Sequence, residues 1–143
     1  MLIKDILTEK DIQSNFDEFI NDVINNKPRI IKKNEDFVVI VSIKQMKELL
    51  SKYEISYTYE MDEDGKFVRY INQIDDIVAK GNTLEELINN LSYNLYYYAK
   101  DYYNNFNRCS ISNNLKSHVN YIFRILLEDN IESISKMLIK QCS

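Results

Sequence analysis

The sequence predicts an α+β chain in which a βαββα module is followed by a βββα module and a C-terminal helical tail. Three observations carry this. Apolar residues recur at three- and four-residue spacing over 9–26, 84–104 and 115–138. β-Branched or alternating runs fall at Arg29–Lys33, Phe37–Val41, Ile55–Met61 and Lys66–Ile71. Pairs of the capping-box kind, Thr8/Asp11, Ser42/Gln45 and Thr83/Glu86, stand where three helices should begin.

In chain order, a short strand is expected over Leu2–Ile6. A helix near 9–26 carries Ile12, Phe16, Phe19, Ile20, Val23 and Ile24 on one face and ends before Pro28, because the residue preceding proline is pushed toward extended geometry. Two strands follow around the polar turn Asn34-Glu35-Asp36, and a short helix holds Met46, Leu49 and Leu50. After Tyr53, a hairpin turns at Asp62-Glu63-Asp64-Gly65, and a shorter strand covers Ile77–Lys80. Thr83 then opens a long helix to about Asn104. The Ser- and Asn-rich stretch Cys109–Asn114 reads as a hinge, and two amphipathic helices follow with a break near Asp129-Asn130. The expected divisions are 1–53, 54–108 and 109–143.

Composition excludes several classes of chemistry. The 143 residues include two glycines, Gly65 and Gly81, and one proline. Phosphate-cradling loops and nucleophile elbows need clustered glycines, so nucleotide-binding enzymes are discounted. The net charge of −4 gives no global pull toward nucleic acid. Cys109 and Cys142 lack metal-ligand spacing, the N-terminus lacks the pattern of a signal peptide, and no apolar run approaches a membrane span. A reduced cytoplasmic protein is expected, with no cofactor, no metal site, no catalytic residues and no membrane partner. Asp62-Glu63-Asp64 reads as a solvated turn rather than a calcium loop, since spaced ligands and a distal glutamate are missing. Asp75 and Asp76 are adjacent, so strand geometry would point them to opposite faces. The single histidine, His118, is expected at the surface or partly packed, and pairing with Cys109 as a nucleophile is not favoured.

The ordered succession Leu2–Ile6, Thr8-Glu9-Lys10-Asp11-Ile12, Phe16, Lys27-Pro28-Arg29-Ile30-Ile31 and Phe37-Val38-Val39-Ile40-Val41-Ser42, running into Lys44-Gln45-Met46, resembles the N-terminal domain of the Phd/YefM antitoxins. That resemblance implies a module that forms a homodimer through its sheet and binds operator DNA with its first strand and helix start. The corresponding face here holds Lys4, Thr8, Lys10, Gln13, Lys32 and Lys33. Gln13 stands where the family commonly has arginine, Glu35 where it has a hairpin glycine, and residues 1–53 carry nine basic and nine acidic side chains. The run Tyr70-Ile71 followed by Gly81-Asn82-Thr83-Leu84-Glu85-Glu86-Leu87 resembles the HicB-type antitoxin fold, with Asp75-Asp76 in place of its usual proline-glycine element. Such domains are binding modules without catalytic residues.

Six tyrosines fall within residues 93–103. At 100° per residue, Leu84, Leu87, Ile88, Leu91, Leu95, Tyr98 and Tyr102 share a core-facing arc, whereas Tyr93, Tyr96, Tyr97 and Tyr103 lie on the outer side. Aromatics that folding does not require mark an interaction surface, to be covered by the tail, a second subunit or a partner. The tail stripe Leu115, Val119, Ile122, Phe123, Leu126 and Leu127 could fold back or dock. The family resemblance implies that the tail meets the toxin, which adds Ile122, Phe123 and Leu126 to the partner-binding candidates. The expected function is that of an antitoxin of a type II toxin–antitoxin pair. It would neutralise a protein toxin, by resemblance an mRNA-cleaving ribonuclease, and repress its own operon. The alternative is a stand-alone DNA-binding regulator.

Overall fold

The structure, a computed structural model, describes residues 1–140, so Cys142 lies outside the described residues. The chain forms two compact units, Met1–Leu49 and a second beginning at Leu50.

In the first unit, β1 (Leu7–Thr8), α1 (Glu9–Ser14), α2 (Phe16–Asn25), β2 (Arg29–Lys33), β3 (Asp36–Ile40) and α3 (Ile43–Leu50), whose last residue opens the second unit, follow in order. The sheet runs β1-β2-β3, with β1 parallel and β3 antiparallel to β2. Leu2–Ile6 is not a strand. The register sets Leu7 against Ile31, so residues before Asp5 would run past Arg29 toward Pro28, which has no N–H to offer. The expected helix over 9–26 is two helices. At Asn15, φ −144° and ψ 58° leave helical geometry, and Ser14 Oγ donates to the Lys10 carbonyl 2.8 Å away. Short polar side chains of this kind compete for the backbone and favour helix ends. Thr8 and Asp11 complete a reciprocal capping box, and Ser42 with Gln45 does the same ahead of α3. The β2–β3 turn needs no glycine at Glu35, because its left-handed residue is Asn34 (φ 55°), a type that tolerates that region.

The second unit holds β4 (Ser56–Tyr57), β5 (Glu60–Met61), β6 (Phe67–Tyr70), β7 (Val78–Gly81), α4 (Leu84–Asn104), α5 (Phe106–Ile111), a 3-10 turn (Lys116–His118), α6 (Val119–Leu126), α7 (Ile131–Met137) and β8 (Ile139–Lys140). The run Ile55–Met61 is two strands serving two sheets. β4 pairs in parallel with β8, whereas β5 joins the antiparallel sheet β5-β6-β7. Asp62 caps the β5–β6 turn by accepting from the Asp64 and Lys66 N–H groups at 3.0 and 2.9 Å. Gly65 supplies the positive φ of 76° that this turn requires.

Residues 109–140 do not stand apart as a tail. Ile122, Ile125 and Ile134 join Leu87, Leu91 and Leu95 of α4 in one fully or nearly fully buried core. Nor is Cys109–Asn114 a simple hinge, since α5 extends to Ile111 with Cys109 buried, and Tyr102 Oη donates to the Leu115 carbonyl at 2.9 Å. Arg124 of α6 donates to the carbonyls of Ser51 and Tyr53 at 2.9 and 2.6 Å, tying the start of the unit to its far end. Hydrogen bonds from a charged donor of this sort contribute about 1.5–3 kcal/mol. Arg124→Ala should therefore lower the unfolding free energy of the second unit by that order, read from urea titration, and an unchanged midpoint would show that the two bonds stabilise nothing.

Candidate partner-binding surfaces

The six residues expected to face DNA all lie in the first unit, and several are already engaged. Thr8 is consumed as the α1 cap. Lys33 pairs with Glu9 at 3.1 Å, Lys4 Nζ donates to the Met1 carbonyl, and Lys32 Nζ sits 5.7 Å from the Phe37 ring centroid. Lys10 and Gln13 are exposed on α1. The neighbouring groove, about 660 Å³, is lined by Asp11, Glu18, Asp22 and several asparagines. Its Asp22 carboxyl is held below the usual carboxylate range by hydrogen bonds from Asn26 and Arg29. The same unit buries only Phe19, Val23 and Ile30, while Phe37, Val38 and Val39 remain 47, 48 and 60% exposed along β3.

In the second unit, α4 separates its tyrosines as a helical period requires. Thr83 Oγ1 accepts from the Glu86 N–H at 3.1 Å, and the Glu86 carboxylate reaches back to Asn82 N–H, which fixes the start of the helix and hence the phase of each ring. Tyr102 is buried and Tyr98 half-buried on the core side. Tyr93, Tyr97 and Tyr103 are 49, 58 and 56% exposed, so the folded-back C-terminal helices leave about half of each open. Tyr93 and Tyr97 stack with centroids 6.4 Å apart. Tyr96 is half-buried against the core and tilted toward Tyr97. Tyr103 meets Phe123 edge-on at 6.3 Å, and Phe123 packs on Phe106 at 5.7 Å, so two of the candidates from different helices share one aromatic cluster.

Ile122 corrects the expectation for the tail. It is fully buried in the core and presents nothing to a partner, while Phe123 and Leu126 are half-buried. The sequence reading also passed over Asn90 and Asn94, whose side chains donate to the Lys80 and Val78 carbonyls at 2.7 and 2.8 Å. Their four-residue spacing, in step with Tyr93 and Tyr97, was the available signal.

His118 is buried, and Tyr98 Oη lies 2.7 Å from its Nδ1. Burial lowers the His118 pKa, opposed by Asp76 and Asp75, and burial pushes the Tyr98 hydroxyl up to about 12. Near neutral pH the imidazole is therefore neutral and the hydroxyl protonated, and the histidine tautomer sets which of the two donates. Below the ordinary histidine pKa the unfolded chain takes up the proton more readily, so stability should fall as pH drops below about 6.5. For Tyr98 the sign reverses, and its contribution is lost as pH rises from about 10 to 12. Denaturant titrations across both windows check this: His118→Gln should flatten the acid limb, and an unaltered slope would remove His118 as its source.

A family model for antitoxins, described as "Antitoxin of toxin-antitoxin, RelE / RelB, TA system" and PHD-like, matches residues 1–140. The chain belongs to this antitoxin family. A crystal structure of an antitoxin part of a candidate toxin/antitoxin system from Syntrophomonas wolfei subsp. wolfei is similar to it. The two share 30% identity with a TM-score of 0.87, over 96% of this chain and 99% of that one. No curated protein matches. One family model spans both units, where the residues alone suggested two family resemblances in tandem. An antitoxin is a non-enzymatic regulatory protein, so its surfaces, rather than a reacting centre, carry the function. Among its described residues, no helix is long and apolar enough to cross a membrane.

Proposed function

We propose that this antitoxin neutralises a cognate protein toxin by stoichiometric binding, with the second unit supplying the contact. The carrying observation is the set of half-exposed aromatics on α4, Tyr93, Tyr97 and Tyr103, the last against Phe123 of α6. Large exposed rings that fold nothing are suited to desolvation by a partner. The proposed toxin is an mRNA-cleaving ribonuclease. Such an enzyme needs a basic surface for RNA, and residues 54–143 carry thirteen acidic against nine basic side chains, the whole of the chain's surplus. Co-expression with the product of the adjacent reading frame tests this. The neighbour alone should arrest growth and degrade mRNA, and the pair should copurify and restore growth. A harmless neighbour that does not copurify would defeat the reading.

A homodimer formed through the first unit is proposed with it, supported by the exposed apolar residues Phe37, Val38 and Val39 of the edge strand β3 and a core of three buried apolar residues. A monomer by light scattering at micromolar concentration would contradict this. Operator binding and autorepression would rest on Lys10 and Gln13 of α1 with Lys4 and Lys32, each doubled by the dimer. Because Lys33 is paired and Asp11, Glu18 and Asp22 lie nearby, the expected affinity is modest and falls steeply with salt.

A further inference from the structure

The outer edge of β7 and the exposed face of α4 form a shallow groove of about 550 Å³. Two ladders line it. Asn90 and Asn94 donate to the Lys80 and Val78 carbonyls, and Tyr93 and Tyr97 stack beside them. Residues four apart on a helix rise about 6 Å. Residues two apart on a strand rise about 6.7 Å. Both side-chain ladders therefore repeat at nearly the period of an extended chain, as the bonds from the two asparagines to the Val78 and Lys80 carbonyls demonstrate for the first of them. In a strand, a residue's N–H and C=O point to the same side, so the Val78 and Lys80 N–H groups also face away from β6. Each asparagine Oδ1 is a further acceptor, so donors and acceptors both line the groove.

Charge decides the kind of segment that fits. The Lys80 ammonium is offset by Asp62 at 3.6 Å. Across α4 the charged residues are Glu85, Glu86 and Asp101 against Lys100 alone. The paired tyrosine faces are themselves attractive to cations.

We propose that this groove receives an extended, arginine- or lysine-bearing segment of the toxin, with alternate cationic side chains over Tyr93 and Tyr97 and its backbone along the asparagine ladder. This deepens the toxin-binding reading and rests on it for the identity of the partner. The groove itself can be tested without the toxin. A fluorescein-labelled heptapeptide alternating arginine and threonine should bind the full chain in fluorescence anisotropy, and the corresponding glutamate peptide should not. The double variant Tyr93→Ala, Tyr97→Ala should weaken binding at least tenfold. Tyr97→Lys, which places a cation where the peptide's would sit, should weaken it as much, with circular dichroism confirming that both variants fold. Undetectable binding of the arginine peptide, equal binding in all variants, or equal binding of the glutamate peptide or of single-stranded polyuridine would overturn the proposal. Copurification separates the two levels of argument. A toxin that binds wild type and double variant equally removes the groove and leaves the antitoxin reading intact, whereas a toxin that binds neither removes the reading itself.

Discussion

Ile122→Asp is expected to abolish cooperative folding of the second unit rather than to weaken a partner contact. Ile122 is fully buried, in the same core as Ile125, Ile134, Leu91 and Leu95. A carboxylate placed there loses its hydration in a core made mostly of aliphatic side chains. The effective penalty is several kilocalories per mole even when protonation relieves part of it. A whole domain is stabilised by about 5–15 kcal/mol, so one such substitution consumes much or all of the margin. The chain has no tryptophan, so far-UV circular dichroism during heating is the suitable readout. Ile111→Asp, at a position 79% exposed, serves as the control and should melt with the wild type. If Ile122→Asp also melted with the wild type, α6 would not be part of the core, and the C-terminal helices would be a detachable arm after all.

That contrast also explains which parts of the fold were legible in the sequence. Local signals worked where one residue makes one bond: Thr83 opens α4, Asn34 turns the β2–β3 hairpin, and Asp62 with Gly65 turns the next. The helical period placed Tyr93, Tyr97 and Tyr103 outside and Tyr102 inside, because a 21-residue helix keeps phase over many turns, whereas Tyr96, expected on the same outer side, is half-buried against the core. What failed depends on distant partners. β8 is two residues long and pairs with β4 some eighty residues earlier, and no local pattern announces such a pairing. The same pairing splits Ile55–Met61 into strands of different sheets. The stripe through Ile122 and Phe123 could not reveal whether it met a toxin or α4, since the two surfaces ask for the same residue types. Asn90 and Asn94 gain their role only because the β7–α4 turn brings Val78 and Lys80 beside them, a contact that the sequence around them does not announce.

Gly81→Ala should cost about 2–4 kcal/mol, considerably more than the usual effect of adding one methyl group. Gly81 is buried at the end of β7, opposite Phe67, and its φ is not positive, so backbone freedom is not the reason for glycine there. The reason is proximity. An added Cβ would lie 2.5 Å from Leu87 N, 2.9 Å from Leu87 Cα and 3.0 Å from Glu86 C. All three atoms are backbone in the first turn of α4, so no rotamer change can yield. Either β7 lifts away from the helix, loosening the Phe67–Gly81 pairing, or the first turn opens and weakens the Thr83 cap, itself worth about 1 kcal/mol. Because the obstacle is backbone, shortening the Leu87 side chain should not rescue the variant, as it would if side chains collided. Gly65→Ala provides the comparison. There φ is +76° and nothing lies within 4 Å, so the cost is conformational strain of about 1–2 kcal/mol. Thermal melts of the two variants separate these causes. A Gly81→Ala variant no less stable than Gly65→Ala would mean that β7 and α4 do not approach so closely, and the groove whose repeat depends on that approach would lose its geometric basis.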